Sequence, residues 1–281
     1  MKRFTVRSPY DLKQFLAQSL SISKGKAKEL IDARLVFVNN ARVWIASHKL
    51  RAGDRVEVAA VPPSAGAKRL EILYEDDYVV AVNKPPGMVV NQSSNSVEEQ
   101  LRRERKAPDI QAIHRLDRDT SGVLLFARNQ AAFERAKALW QEHQVKKTYL
   151  AICHGRSRFR ETNVALPVDG KRAFSRIALV RSSGGYSLFQ VETATGRKHQ
   201  IRLHLRSVRH PIVGDKEYGL RHVPDPQTRS IGRQMLHCAR ISLPALGSDK
   251  RLEIGAPLFP DFRLLGIRLG LLKKDMATAG T

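Results

Sequence analysis

The chain has 281 residues, 42% of them hydrophobic, enough for one large core or two smaller ones. Lys and Arg number 49 against 27 Asp and Glu, a net charge of +22, and such an excess calls for a polyanion, most directly nucleic acid phosphate. No apolar run of about 18 residues is present to span a bilayer, Cys153 and Cys238 suggest neither a zinc ribbon nor a disulfide framework, and the start MKRFTVRSPYDL lacks the apolar stretch of a signal peptide, so a reducing cytoplasm is expected.

Ser8-Pro9-Tyr10-Asp11 reads as a helix start, with Ser8 as cap and Pro9 at the first helical position. Leu12, Phe15, Leu16 and Leu20 then recur at helical spacing. Ser23 caps a second helix whose Ala27, Leu30 and Ile31 face inward, and Lys24, Lys26 and Lys28 give it positive side chains. These lysines form either a solvated face or a set of phosphate contacts. Leu35 to Val38 reads as a strand, Asn39-Asn40 as its turn, Val43 to Ile45 as the return, and Arg55 to Val58 as a further strand. Residues 62–69, rich in Pro, Ser, Ala and Gly, read as a linker.

Beyond the linker, strands are expected over Leu70–Tyr74, Tyr78–Val82, Val123–Arg128, Thr148–Cys153, Ile177–Val180 and Ser187–Glu192. Helices are expected over Val97–Arg105, after the cap Asn129, and over His199–Arg209. Residues 273–281 read as a flexible tail. The pattern is α+β, with a mixed, largely antiparallel sheet and flanking helices, and lacks the regular alternation of a doubly wound fold.

Three runs hold chemistry-bearing residues. HRLDRDTSG, residues 114–122, places Asp117 in a polar loop directly before an apolar strand, where a rigid scaffold displays chemistry. Thr120 and Ser121 there also suit turn-stabilising hydroxyls. GRKHQIRLHL, residues 196–205, places Arg202, Arg206 and Arg209 on one helical stripe, either solvated or meeting phosphate. KKTYLA, residues 146–151, puts Lys147 and Tyr149 on one strand face, with Tyr149 either a core aromatic or a platform for an unpaired base. His199 and His204 are five residues apart and do not share a helix face, so they make no metal pair, and no metal site is expected.

Together these runs resemble the RluA-type RNA pseudouridine synthases, whose motifs are HRLD-x-x-TSG, K-x-Y and GR-T-HQIR-x-HL. VNKPPGM at 82–88 and RQMLHC at 233–238 resemble two further motifs of that family, and the matches span about residues 70 to 262. DLKQFLAQ, SKGKAKELI, VFVNN and LRAGDRVEV resemble a small α+β RNA-binding domain shared with a small-subunit ribosomal protein; Arg34 and Ala41 stand where that domain usually has glycine. The resemblance implies a domain over 1–61 and a catalytic domain over 70–272. It implies Asp117 as catalytic carboxylate, Arg202 as its charge partner and Tyr149 as the group against the target uracil. His114, Arg115, Thr120, Lys147 and Leu236 would contact substrate, and Lys24, Lys26, Lys28, Arg206 and Arg209 would contact RNA. Family chemistry implies no cofactor. The expected partner is RNA, ribosomal rather than transfer RNA, acting on a monomer away from membranes. Removal of residues 1–62 is expected to leave the catalytic fold standing. The competing class is a non-catalytic RNA-binding or ribosome assembly factor, which explains the charge but not the three motifs.

Overall fold

In the computed structural model, residues 1–59, 69–193, 195–248 and 250–273 are described. From the N-terminus the elements are β1 (Lys2–Thr5), β2 (Tyr10–Asp11), α1 (Leu12–Leu20), α2 (Lys24–Asp32), β3 (Val36–Val38), β4 (Ala41–Val43), β5 (Lys49–Leu50) and β6 (Arg55–Val58). There follow β7 (Ile72–Glu75), β8 (Val79–Lys84), α3 (Val97–Arg105), β9 (Gln111–Ala112), β10 (Ser121–Ala127), α4 (Gln130–Gln141), β11 (Lys146–His154) and β12 (Glu161–Val164). The last are β13 (Ser175–Ser183), β14 (Tyr186–Thr193), α5 (Gln200–Ser207), α6 (Pro226–Arg229), β15 (Leu236–Pro244), β16 (Arg251–Gly255) and α7 (Pro260–Arg268). They form two compact units, Met1–Pro62 with Val213–Gln234, and Pro63–Ile212 with Met235–Thr281.

In the first unit, an antiparallel sheet of order β1-β6-β3-β4 meets α1 and α2. Strand alternation sends Val36, Val38, Val56 and Val58 into a core with Leu12, Leu16, Ala27 and Ile31. Ser23 caps α2, accepting from the Lys26 amide at 3.1 Å. α1 starts at Leu12, not Pro9. Tyr10 and Asp11 pair with Leu50 and Lys49, and the amides of Leu12 and Lys13 donate to the carbonyls of His48 and Ala46. A loop, rather than Ser8, therefore satisfies the first turn. The return strand starts at Ala41, two residues earlier than expected, because Asn39 and Asn40 (φ 48° and 67°) make a two-residue turn that pairs Val38 with Ala41.

The opposite face of this sheet is also covered. Leu35, Phe37 and Ala59 cluster there with Val223. The Arg42 amide donates to Arg221 O at 2.8 Å and the Val223 amide to Asn40 O at 3.0 Å, so residues 221–223 run along the outer edge of β4. Glu57, 7% exposed, binds the buried Arg229 of α6. Within the expected span 70–272, Val213–Gln234 thus groups with residues 1–62 in the first compact unit. β3 is apolar on both faces, and Val213–Gln234 covers the face that the helices leave open. Removing residues 1–62 would deprive that segment of its packing partner. Most of the expected linker 62–69 and of the expected tail 273–281 lies outside the described residues.

The second unit is built on a ten-stranded sheet of path order β12-β13-β14-β11-β15-β10-β8-β7, with β16 paired to β15 and β9 to β10. It is mixed and largely antiparallel; the β10–β15 pairing is parallel. Asn129 caps α4, accepting from the Ala132 amide at 2.9 Å, and Ala132 and Ala136 pack on Val79 and Ala127. Among the described residues no helix is long and apolar enough to cross a membrane.

Candidate active site

The loop before β10 is fixed from three sides. The Thr120 amide donates to Asp117 O at 3.0 Å, closing a turn. Gly122 (φ 112°) lets β10 approach β15 so closely that a Cβ would fall 2.1 Å from Cys238 O. Lys84, fully buried at the end of β8, donates through Nζ to the carbonyls of Pro85 and Met88 at 2.8 Å and of Arg118 at 2.9 Å. It thereby ties the proline turn to the residue next to Asp117. Lys84 was not singled out as a site residue. Its signal was a lysine ending the otherwise apolar run VVAVN, an expensive place for a charge unless carbonyls surround it.

Arg202, on α5, is 5% exposed and donates from Nη1 to Asp117 Oδ2 at 3.2 Å. His199, left-handed at φ 58°, precedes the helix and brings Nε2 within 3.9 Å of the same oxygen. The Asp117 side chain keeps 25% of its surface accessible, so the carboxylate is held by the Arg202 guanidinium and still open to a ligand. α5 is itself anchored. Gln200 accepts from Thr195 Oγ1 at 2.8 Å and donates to Phe174 O at 2.9 Å, while His204 is hydrogen-bonded to Ser175 Oγ and Leu166 O. Sequence reading gave His199 and Gln200 no role, since neither side chain departs from a helical surface pattern.

Tyr149, on β11, lies opposite Cys238 of β15 across a bulge and is 7% exposed. Burial, then the neighbouring Cys238, raises its hydroxyl well above the ordinary phenol value, while burial pushes the Cys238 thiol up to about 12. Both stay neutral near pH 7. Lys147, on the same strand face, donates to Thr195 O at 3.1 Å, and burial lowers its ammonium from the usual value. His114 accepts from the Leu125 amide at 3.1 Å and stacks on Trp140 with ring centroids 5.4 Å apart. That enclosure, and secondarily Lys147, pushes His114 down to about 3, so it is neutral at pH 7.

A cavity of about 670 Å³ is lined by Asp117, Arg202, Tyr149, His114, Arg115, Thr120, Lys147 and Leu236, together with Trp140 and His199. It brings together residues of all three sequence runs on one concave surface. A second cavity shares Arg115, Asp117 and His199 and continues past Gly87–Gln92, Arg103, Arg118 and Lys198. Arg206 and Arg209 do not line either cavity. α5 ends at Ser207, so the expected helix to Arg209 and its single arginine stripe are corrected: Arg202 is buried, Arg206 exposed, and Arg209 sits beyond the helix at φ 65°. Lys24, Lys26 and Lys28 are exposed on α2, with Lys26 paired to Glu29 and Lys28 to Asp32. Among the described residues, no group of three or more His, Cys, Asp or Glu side chains is arranged to hold a metal.

Asp117, Tyr149 and Arg202 lie in the region, residues 78–207, that matches the family model described as RNA pseudouridylate synthase, and residues 12–56 match the S4 domain model. The chain is 34% identical to ribosomal large subunit pseudouridine synthase C of Vibrio cholerae, over 87% of this chain and 88% of that protein. It is 31% identical to ribosomal large subunit pseudouridine synthase D of Nitrosomonas europaea, over 90% and 83% of the two chains. Among solved structures, the human RNA pseudouridylate synthase domain containing 4 matches with a TM-score of 0.60 and 25% identity, over 71% of this chain and 93% of that one. With its motif loop, its cation-held carboxylate and these relatives, the chain belongs to the RluA-type RNA pseudouridine synthase family and carries an S4 domain at its N-terminal end.

Proposed function

We propose that the protein isomerises specific uridines of large-subunit ribosomal RNA to pseudouridine, acting in the cytoplasm as a monomer. The reaction breaks the bond between uracil N1 and the ribose C1′, turns the base, joins C5 to C1′, releases the C5 proton to solvent and leaves N1 protonated from solvent, so product and substrate are isomers. Asp117 is the catalytic carboxylate, Arg202 its charge partner, and Tyr149 the face against which uracil rests. The observation that carries this reading is the Asp117–Arg202 contact of 3.2 Å at the wall of a cavity that also contains Tyr149. A nearby guanidinium favours the ionised carboxylate. His114, Arg115, Thr120, Lys147 and Leu236 supply the remaining walls around the base. A uridine within a helix or stacked loop must be extruded to enter, and phosphate contacts elsewhere on this basic chain offset that cost. The substrate assignment is supported by relatives named for the large ribosomal subunit.

Tritium release from RNA carrying 5-tritiated uridine tests the reaction. Unmodified large-subunit ribosomal RNA should release label with the wild-type chain, and Asp117→Asn should lower single-turnover release by at least about 10³-fold with RNA affinity kept. Near-wild-type release by Asp117→Asn would remove the residue from this role. Release from transfer RNA alone would overturn the substrate assignment.

A further inference from the structure

The first unit carries a surface feature made from two distant stretches of chain. Trp44, one residue past β4, is 40% exposed. The Arg34 guanidinium lies 5.3 Å from its ring centroid and the Arg221 guanidinium 5.0 Å. Arg34 sits in the left-handed region at φ 55°, and its Nη1 donates to Lys216 O at 2.8 Å. Arg221 is placed by the bond from the Arg42 amide to its carbonyl. Neither guanidinium has a carboxylate partner among the described residues. Their sequence neighbourhoods add exposed apolar surface, Ile45 beside Trp44 and Leu220 beside Arg221.

The two guanidinium groups share one indole and have no carboxylate between them among the described residues. The left-handed backbone of Arg34 closes α2, its amide and that of Leu35 donating to Ile31 O and Leu30 O. Two guanidinium groups on one indole repel each other, and cation–π attraction to the ring offsets that only in part. The missing complement is an anion. The exposed indole and the apolar neighbours suit the non-phosphate part of the same ligand, because arginine planes and aromatic rings both stack on bases. The lysines of α2 are poorer candidates, since Lys26 and Lys28 already face acids of their own helix.

We infer that Arg34, Trp44 and Arg221 form an RNA-docking site in which the two guanidinium groups hold backbone phosphate and Trp44 meets an unpaired nucleotide. The site rests on the reading of RNA as substrate. It is composite: the S4 sequence contributes Arg34 and Trp44, and the segment Val213–Gln234 contributes Arg221. Binding here positions the RNA and takes no part in bond breaking.

The full-length chain tests it, with an unmodified transcript of large-subunit ribosomal RNA and a single-stranded 20-mer of uridine as probes. Affinity is measured across a salt series, alongside saturating tritium release. Arg221→Gln, at an exposed position, should weaken both probes at least about threefold and make the slope of log affinity against log salt shallower by about 0.7 per lost phosphate contact. Trp44→Leu should weaken affinity at least about threefold. Release at saturating RNA should stay within twofold of wild type for both variants. Wild-type affinity and slope in both variants, with unchanged melting, overturn the site. A loss of saturating turnover at unchanged affinity also overturns it, since it would assign these residues to the active site. If the wild-type chain releases no label from any RNA yet Arg221→Gln shows the slope change, the docking site stands and the catalytic reading falls.

Discussion

Glu57 and Arg229 hold the segment Val213–Gln234 to the S4 sheet, and separating them tests whether that segment folds as part of the first unit. Their side chains are 10% and 5% exposed, and Arg229 also donates to the carbonyls of Val223 and Pro224. Arg3 reaches Glu57 Oε1 at 3.1 Å, but its side chain is 61% exposed, so it cannot replace Arg229. Removing one member of a buried pair leaves the other charged and uncompensated, at about 3–5 kcal/mol. Glu57→Gln should therefore lose about 3 kcal/mol, equivalent to a fall of about 12 °C or more in the melting temperature of a domain of about 60–100 residues. The double variant Glu57→Leu/Arg229→Met, which buries no charge, should recover most of that loss; with the single variants Glu57→Leu and Arg229→Met it completes the cycle that gives the coupling energy of the pair. Urea denaturation of the full-length chain gives the energies, and hydrogen exchange locates the change in peptides covering β6 and residues 221–231. A loss under about 1 kcal/mol in Glu57→Gln, or no recovery in the double variant, would refute the reasoning.

Lys84→Met should leave the part-buried carbonyls of Pro85 and Met88 without this donor, while Arg118 O keeps the Gly87 amide, costing about 2 kcal/mol and loosening the Asp117 loop. Turnover should fall about 10²-fold while RNA affinity holds, and equal losses in both would indicate general unfolding instead. Gly122→Ala sets a Cβ against backbone in a positive-φ position, so it should express as misfolded protein or melt far below wild type; a near-normal melting curve would contradict the close β10–β15 approach. His114 is pushed down to about 3 in the fold against an ordinary value of about 6.5, so the unfolded chain binds the extra proton between those values. Stability should accordingly fall as pH drops below about 6.5, by up to about 1.4 kcal/mol per pH unit from this group, and His114→Gln should flatten that slope in urea midpoints. An unchanged slope would place the histidine in solvent.

Most helices and strands were readable because their cause is local. The short apolar runs around Val79, Leu125 and Phe189 set the sheet, and Ser23 and Asn129 marked helix starts that carry those capping bonds. Boundaries failed where a distant partner intervened. The loop at Ala46 and His48 supplied the start of α1 that Ser8 was expected to cap. β1 escaped notice because KRFT is mostly exposed and gains its identity only by pairing with β6.

Asp117, Tyr149 and Arg202 stand out in the sequence because their runs are long and specific. Their convergence on one cavity is a tertiary fact, as they are brought together by β10, β11 and α5, separated by tens of residues. Sequence by itself determined the family and the α+β class, and it marked the residues proposed to bear the chemistry, since each depends on local pattern. Only the tertiary structure decided that Lys84 fixes the Asp117 loop, that Arg202 alone of its stripe is buried, and that Val213–Gln234 belongs with the S4 sheet. Those outcomes turn on which surface covers an open apolar face or an unsatisfied carbonyl, and no local pattern names the partner.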